Sequence, residues 1–130
     1  MSEPEINTIS NPSIKGREGD FTTVKVDLSA VLDSWKISLF SFEWLTPEGS
    51  IREVSDLPEA ERVKYESVSH QIDVGESVEC PVLGIGVMDN VEIGSRRDVL
   101  LTAYSKGVRV MDAHVKTANL DDFKSYIVKE

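Results

Sequence analysis

Apolar and polar positions along the chain change their period several times, and each change marks an element. In FTTVKVDLSAVL, Phe21, Val24, Val26 and Leu28 stand among polar neighbours at a spacing that predicts a strand. Ser29 or Asp27 is placed to cap a short helix carrying Val31 and Leu32. The aromatic-dense WKISLFSFEWL follows, with Trp35, Ile37, Leu39 and Phe40 expected in the core. Phe42, Trp44 and Leu45 continue the alternation, so a strand and an irregular packed segment both fit. TPEGS reads as a turn around Pro47 and Gly49.

From about Pro58 to Asp73 the period lengthens to that of a helix. Ala60, Val63, Val68 and Ile72 form its apolar stripe, the charges read as a solvated face, and Gly75 is the stop. CPVLGIGVMDNVEIG then predicts a strand pair, with Val82, Leu83, Ile85 and Val87 in the first strand, a tight turn at MDN, and VEI in the second. A helix is expected from Ser95 to Lys106, closed by Gly107, followed by a strand at VRVMDAHV. Leu120, Phe123, Tyr126 and Ile127 predict a last helix in NLDDFKSYIVKE. The order of elements points to a compact α+β domain over residues 21–130, a small mixed sheet covered by helices. Residues 1–20, with two prolines and two glycines and no sustained period, read as a flexible arm that includes at most a short edge strand.

Length and composition agree with one globular domain: 130 residues, 40% hydrophobic and 28% charged. Net charge is −9 and is unevenly spread. Residues 1–79 hold 16 acids and 7 bases, whereas residues 80–130 hold 7 of each. The acidity opposes casual adhesion to nucleic acid or acidic membranes, and leaves room for a local anion site in the neutral half. A single cysteine, Cys80, rules out an internal disulfide, and with His70 and His114 as the only histidines a structural zinc site is not expected. Met1–Asp20 is too polar for a signal peptide, and no apolar run approaches the about 18–20 residues that span a bilayer. No membrane partner and a cytoplasmic location are therefore expected.

Candidate chemistry gathers at the start of the helix after the strand pair. Gly94 permits a sharp exit from the strand, and Ser95 with Asp98 three residues on has the pattern of a capping box. Arg96 and Arg97 break the dipole rule, because cations in a first helical turn are disfavoured by about 0.3–1 kcal/mol each. An anion shared between the two guanidiniums and the first-turn N–H groups would explain them. Pairing with the chain's own acids, such as Glu92, Asp89 or Asp112, is the plain alternative. Asp89 and Glu92 are candidates to hold a divalent metal or activate water beside a bound phosphate; otherwise they are a turn residue and a solvent-facing strand residue. The glycines of GIG, Gly84 and Gly86, lack a third glycine before a helix, so close packing or a bulge is expected there rather than a dinucleotide loop.

The stretch PVLGIGVMDNVEIGSRRDVLLTAYSKGVRVMDAHV, Pro81 to Val115, resembles the ParB/sulfiredoxin superfamily. There a strand pair leads through a glycine and a short basic motif to a helix, a glycine and a final strand. Gly94, Arg96 and Arg97 match the G-E-R-R motif of the partition proteins, a turn that cradles nucleotide phosphates in that family. The resemblance implies ATP or another nucleoside triphosphate, with Mg2+, at Gly94, Ser95, Arg96 and Arg97. Asp89, Glu92 and Arg96 are the candidate catalytic residues, and Asp89 and Glu92 the candidate metal ligands. Val99 and Leu100 stand where the partition proteins continue with arginine and alanine, and the DNA-reading helix-turn-helix is missing. Ser95 and Arg96 occupy the positions of sulfiredoxin's cysteine and histidine, which argues against sulfinic-acid reduction. A stand-alone domain most resembles the plasmid fertility-inhibition branch of the oncogenic-suppression type, associated with ATP hydrolysis and DNA cleavage. The alternative is a non-enzymatic inhibitor or regulator that keeps the fold and meets a protein partner through its acidic N-terminal half, including WKISLFSFEW.

Overall fold

Asp27 ends one strand and starts one helix, and it shows how local chemistry builds this domain. Its carboxylate accepts hydrogen bonds from the N–H groups of Ser29 and Ala30 at 2.9 and 3.2 Å, which fixes the capping residue as Asp27 rather than Ser29. The computed structural model describes residues 6–38, 41, 44–46, 50–86 and 88–128. Within them the chain is a mixed α+β fold: β1 (Thr8–Ile9), β2 (Phe21–Asp27), α1 (Leu28–Trp35), α2 (Glu59–Asp73), β3 (Val78–Glu79), β4 (Val82–Ile85), β5 (Val91–Ser95), α3 (Arg97–Ser105) and β6 (Val110–Lys116). Short 3-10 turns lie at Pro12–Ile14, Glu18–Asp20, Val54–Asp56 and Thr117–Phe123.

The main sheet has the order β2-β6-β4-β5. It is antiparallel except for the β4–β6 pair, and a register shift interrupts the β4–β5 ladder between Val82 and Leu83. Helices α1 and α3 pack together, α1 touches β5, and α2 lies on α3. Among the described residues, Trp35, Trp44, Leu28, Leu100, Leu101 and Phe123 are the largest side chains fully enclosed in the core. No helix among the described residues is long and apolar enough to cross a membrane.

Several expectations need correction. The helix predicted from Ser95 begins at Arg97, because Ser95 pairs with Val82 as the last residue of β5. The last predicted helix is a 3-10 turn, after which the chain bonds to β2: Asp27 N–H donates to the Tyr126 carbonyl, Val128 N–H to that of Lys25, and Ile127 bridges Val26. Ile37 is 53% exposed rather than in the core, and Val63, placed in the α2 stripe, is 61% exposed. Ala60 is exposed too, so the buried face of α2 runs through Tyr65, Val68 and Ile72. Pro58 caps α2 from outside rather than opening it, and Gly75 ends it at φ +79°. Around Trp44 the chain is irregular, with a single bridge between Leu45 and Ile51. Leu39, Phe40, Phe42, Pro47, Gly49 and Val87 lie outside the described residues.

The segment expected as an arm is docked from Ile6 onward. β1 runs parallel to β3, Thr8 against Val78, and Ile14 is buried. Asn11 is 3% exposed and ties this segment to three others. Its amide group donates to the Cys80 carbonyl at 2.8 Å and to Ser95 Oγ at 3.0 Å, while its backbone N–H donates to His114 Nε2 at 3.1 Å.

Candidate functional site

The strand-to-helix turn between β5 and α3 is built around a backbone outlier. Arg96 sits in the left-handed region, φ +57° and ψ +43°, which disfavours a residue with a Cβ by roughly 1–2 kcal/mol. Its carbonyl takes the place of a cap, accepting from the N–H groups of Val99 and Leu100 at 3.1 and 3.3 Å. Among the described residues no side chain caps the helix. Ser95 instead receives the Asn11 amide, and the Asp98 carboxylate turns to Arg96, so the expected capping box does not form.

Arg96 meets two acids. Its Nε and Nη2 donate to the two Asp98 oxygens at 3.2 and 3.0 Å, and its Nη1 donates to Glu79 Oε1 at 2.9 Å. Asp98 gives a fork-to-fork contact, and Glu79 reaches in from β3. This settles how the helix start tolerates a cation: carboxylates on both sides of the guanidinium offset its charge against the positive end of α3. The partners differ from the candidates Glu92, Asp89 and Asp112. The Arg97 guanidinium lies over the Trp35 ring, 5.5 Å from its centroid.

A cleft of about 480 Å³ opens at this turn. Gly94, Ser95, Arg96 and Arg97 all line it, so the structure brings the four predicted binding residues together. Lys64 and Glu61 enter from α2, 3.6 Å apart, and Asp98 completes the charged wall. Sequence reading missed Lys64 and Glu61, which belong to the charge run taken as a solvated face. Only the packing of α2 on α3 aims them at the turn.

Asp89 and Glu92 do not line this cleft. Asp89 is exposed in the β4–β5 hairpin at φ +60°. Glu92 accepts from Ser38 Oγ at 2.6 Å and from Asn90 Nδ2 at 3.1 Å, one bond to each oxygen. Gly86 makes room for this cluster: a Cβ there would lie 2.9 Å from both Asn90 Oδ1 and Glu92 Cγ, so the close packing expected of GIG holds at Gly86 and not at Gly84. Among the described residues no three His, Cys, Asp or Glu side chains are grouped to hold a metal ion.

Behind the turn, His114 fixes the Asn11 segment. Its Nε2 accepts from Asn11, so Nδ1 carries the proton and donates to Thr23 Oγ1 at 2.8 Å. Burial lowers the His114 pKa, and the nearby Asp112 carboxylate acts in the opposite direction. Burial also pushes the Cys80 thiol up, against a lowering hydrogen bond with Thr8, which suits a packing residue rather than a nucleophile.

No protein-family model matches the chain, and neither a curated protein nor a solved structure matches it.

Proposed function

We propose that this chain is a nucleotide-binding domain of the ParB/sulfiredoxin-like kind, which seats phosphate at the β5–α3 turn. The observation that carries the reading is the left-handed Arg96 at the mouth of an open cleft that also holds Arg97 and Lys64. Strain in a non-glycine residue at a charged turn is a mark of a site where backbone direction serves a ligand. The helix dipole favours an anion at the start of α3. A phosphate would compete with Glu79 or Asp98 for Arg96, exchanging a carboxylate partner for a more highly charged one.

Binding of ATP or another nucleoside triphosphate is the part that the geometry favours. Hydrolysis of ATP, or DNA cleavage in plasmid fertility inhibition or a related mobile-element conflict, is the extension that the resemblance suggests. It requires Asp89 or Glu92, with Mg2+, to come to the phosphate from outside the cleft lining. ATP titrations with and without magnesium test the reading, comparing wild type with an Arg96→Ala/Arg97→Ala double variant. Saturable binding lost in the double variant supports it, and equal behaviour of the two proteins defeats it.

A second reading rests on one observation. Arg96 is already paired with Glu79 and Asp98. A non-enzymatic inhibitor or regulator that keeps the fold would look this way, its turn closed by its own carboxylates. Partner capture that survives the double arginine substitution, with no nucleotide bound by wild type, favours it.

A further inference from the structure

A second groove, of about 380 Å³, lies on β4 and meets the arginine cleft only at Gly94. The apolar side chains open to it are Val82 and Ile85 of β4 and Phe21 of β2, with Leu83 and Phe123 buried behind them. Gly84 lies at the centre of that strand, and a Cβ built on it meets nothing within 4 Å, so the space above it is open. Among the described residues of the lining, the charged groups are Arg17 and Lys116, and none is a carboxylate. In a chain of net charge −9 that is a local reversal of sign.

Both cations are available, and one is held in place. Neither forms an ion pair among the described residues. Arg17 donates to the Ser13 carbonyl at 3.0 Å and lies over the Phe21 ring, 5.6 Å from its centroid, which orients the guanidinium before any ligand arrives. Asn119 adds one amide at the rim. The volume falls in the range of small-ligand sites, about 300–1,000 Å³.

We propose that this groove binds a small planar aromatic anion, its ring on the β4 floor over Gly84 and its negative group between Arg17 and Lys116. The flat, side-chain-free strand centre suits a ring. The paired cations select a carboxylate, sulfonate or phosphate, and Val82, Ile85 and Phe21 hold the ring by apolar contact. The groove is separate from the arginine cleft, and this inference does not depend on the phosphate site.

The test is a nitrogen–proton NMR titration of the full chain with 2-naphthoate, with acetate and 2-naphthalenemethanol as probes for charge alone and ring alone. Saturable shifts of the Gly84, Ile85 and Asn119 amides are expected with 2-naphthoate, and binding at least about tenfold weaker with either control. Gly84→Val should abolish binding in a folded protein, because its added atoms enter open space and valine suits a strand. Arg17→Gln/Lys116→Gln, at two exposed positions, should weaken 2-naphthoate by roughly tenfold and leave 2-naphthalenemethanol unchanged. The inference is overturned if 2-naphthoate shifts only Gly94–Asp98, if the neutral naphthyl binds equally well, or if the Arg17/Lys116 variant binds as wild type does.

Discussion

Replacing Asn11 by alanine should destabilise the domain far more than its position near the N-terminus suggests. The side chain is buried and makes three hydrogen bonds, donating to Cys80 O and Ser95 Oγ and accepting from the N–H of Ser13 at 2.8 Å. Alanine leaves the carbonyl of buried Cys80 without that donor, at about 1–3 kcal/mol, and removes the cap of the Pro12–Ile14 turn, at about 1 kcal/mol. Ser95 is only half-buried and turns to water, so its loss adds little. The expected total is about 2–4 kcal/mol, or a fall in Tm of roughly 8–16 °C for a domain of this size. Urea denaturation followed by the fluorescence of Trp35 and Trp44, both fully buried, gives the midpoint and the slope together. The midpoint should fall with the slope unchanged. Ser10→Ala, at an exposed neighbour, is the control and should stay within about 0.5 kcal/mol. Asn11→Asp keeps the acceptor for Ser13 but sets a carboxylate against the Cys80 carbonyl, and should be at least as harmful as alanine. An Asn11→Ala midpoint indistinguishable from wild type would refute the reasoning, since it would mean that the docked segment contributes nothing to the folded state.

Three further outcomes are expected. His114 has a lowered pKa when folded, so the folded state binds its proton less readily than the unfolded chain does; its contribution to stability is complete above about pH 6.5 and is lost as pH falls through the lowered value. Urea midpoints measured between pH 7.5 and 5 should show this loss, and His114→Gln should flatten that segment of the profile. Glu79→Gln removes one of the two carboxylates from Arg96 and should strengthen ATP binding by roughly two- to fivefold, as expected for a partly exposed ion pair; calorimetric titration reads it, and a weaker affinity would contradict the phosphate site. Phe123→Ala, at a fully buried ring that ends the 3-10 turn after β6, should lower stability by about 3–5 kcal/mol in thermal or urea unfolding.

Much of the fold is written locally. The alternation in Phe21–Leu28 gives β2, the MDN turn joins β4 to β5, and Gly75 and Gly107, both at positive φ, end their helices where the sequence places them. Asp27 satisfies two helix donors with a side chain two and three residues away, which is why capping chemistry locates α1 so closely. The same kind of rule fails at Ser95. A serine three residues before an aspartate has the form of a capping box, but the β4–β5 ladder holds its backbone as strand and Asn11 holds its hydroxyl. The last segment fails for a related reason: Leu120, Phe123, Tyr126 and Ile127 have helical spacing and do turn inward, yet hydrogen bonds to β2 draw the backbone away from a helix.

The candidate site divides along the same line. Gly94, Ser95, Arg96 and Arg97 are adjacent in the chain, so their clustering and the conflict between two cations and a helix dipole are legible without coordinates. What neutralises Arg96 is only half legible. Asp98 is two residues away, whereas Glu79 is 17 residues distant and is delivered by β3. Lys64 and Glu61 reach the cleft because α2 lies on α3, and Asn11 reaches Ser95 across 84 residues of chain. Arg17 joins the β4 groove from the N-terminal segment in the same way. The sequence by itself determined the periodic elements, most of their ends and the charged turn, because these depend on neighbours within one or two helical turns. The tertiary structure alone decided which acids face the arginines and which cations stand apart from acids, because long-range pairing places residues that no local pattern connects.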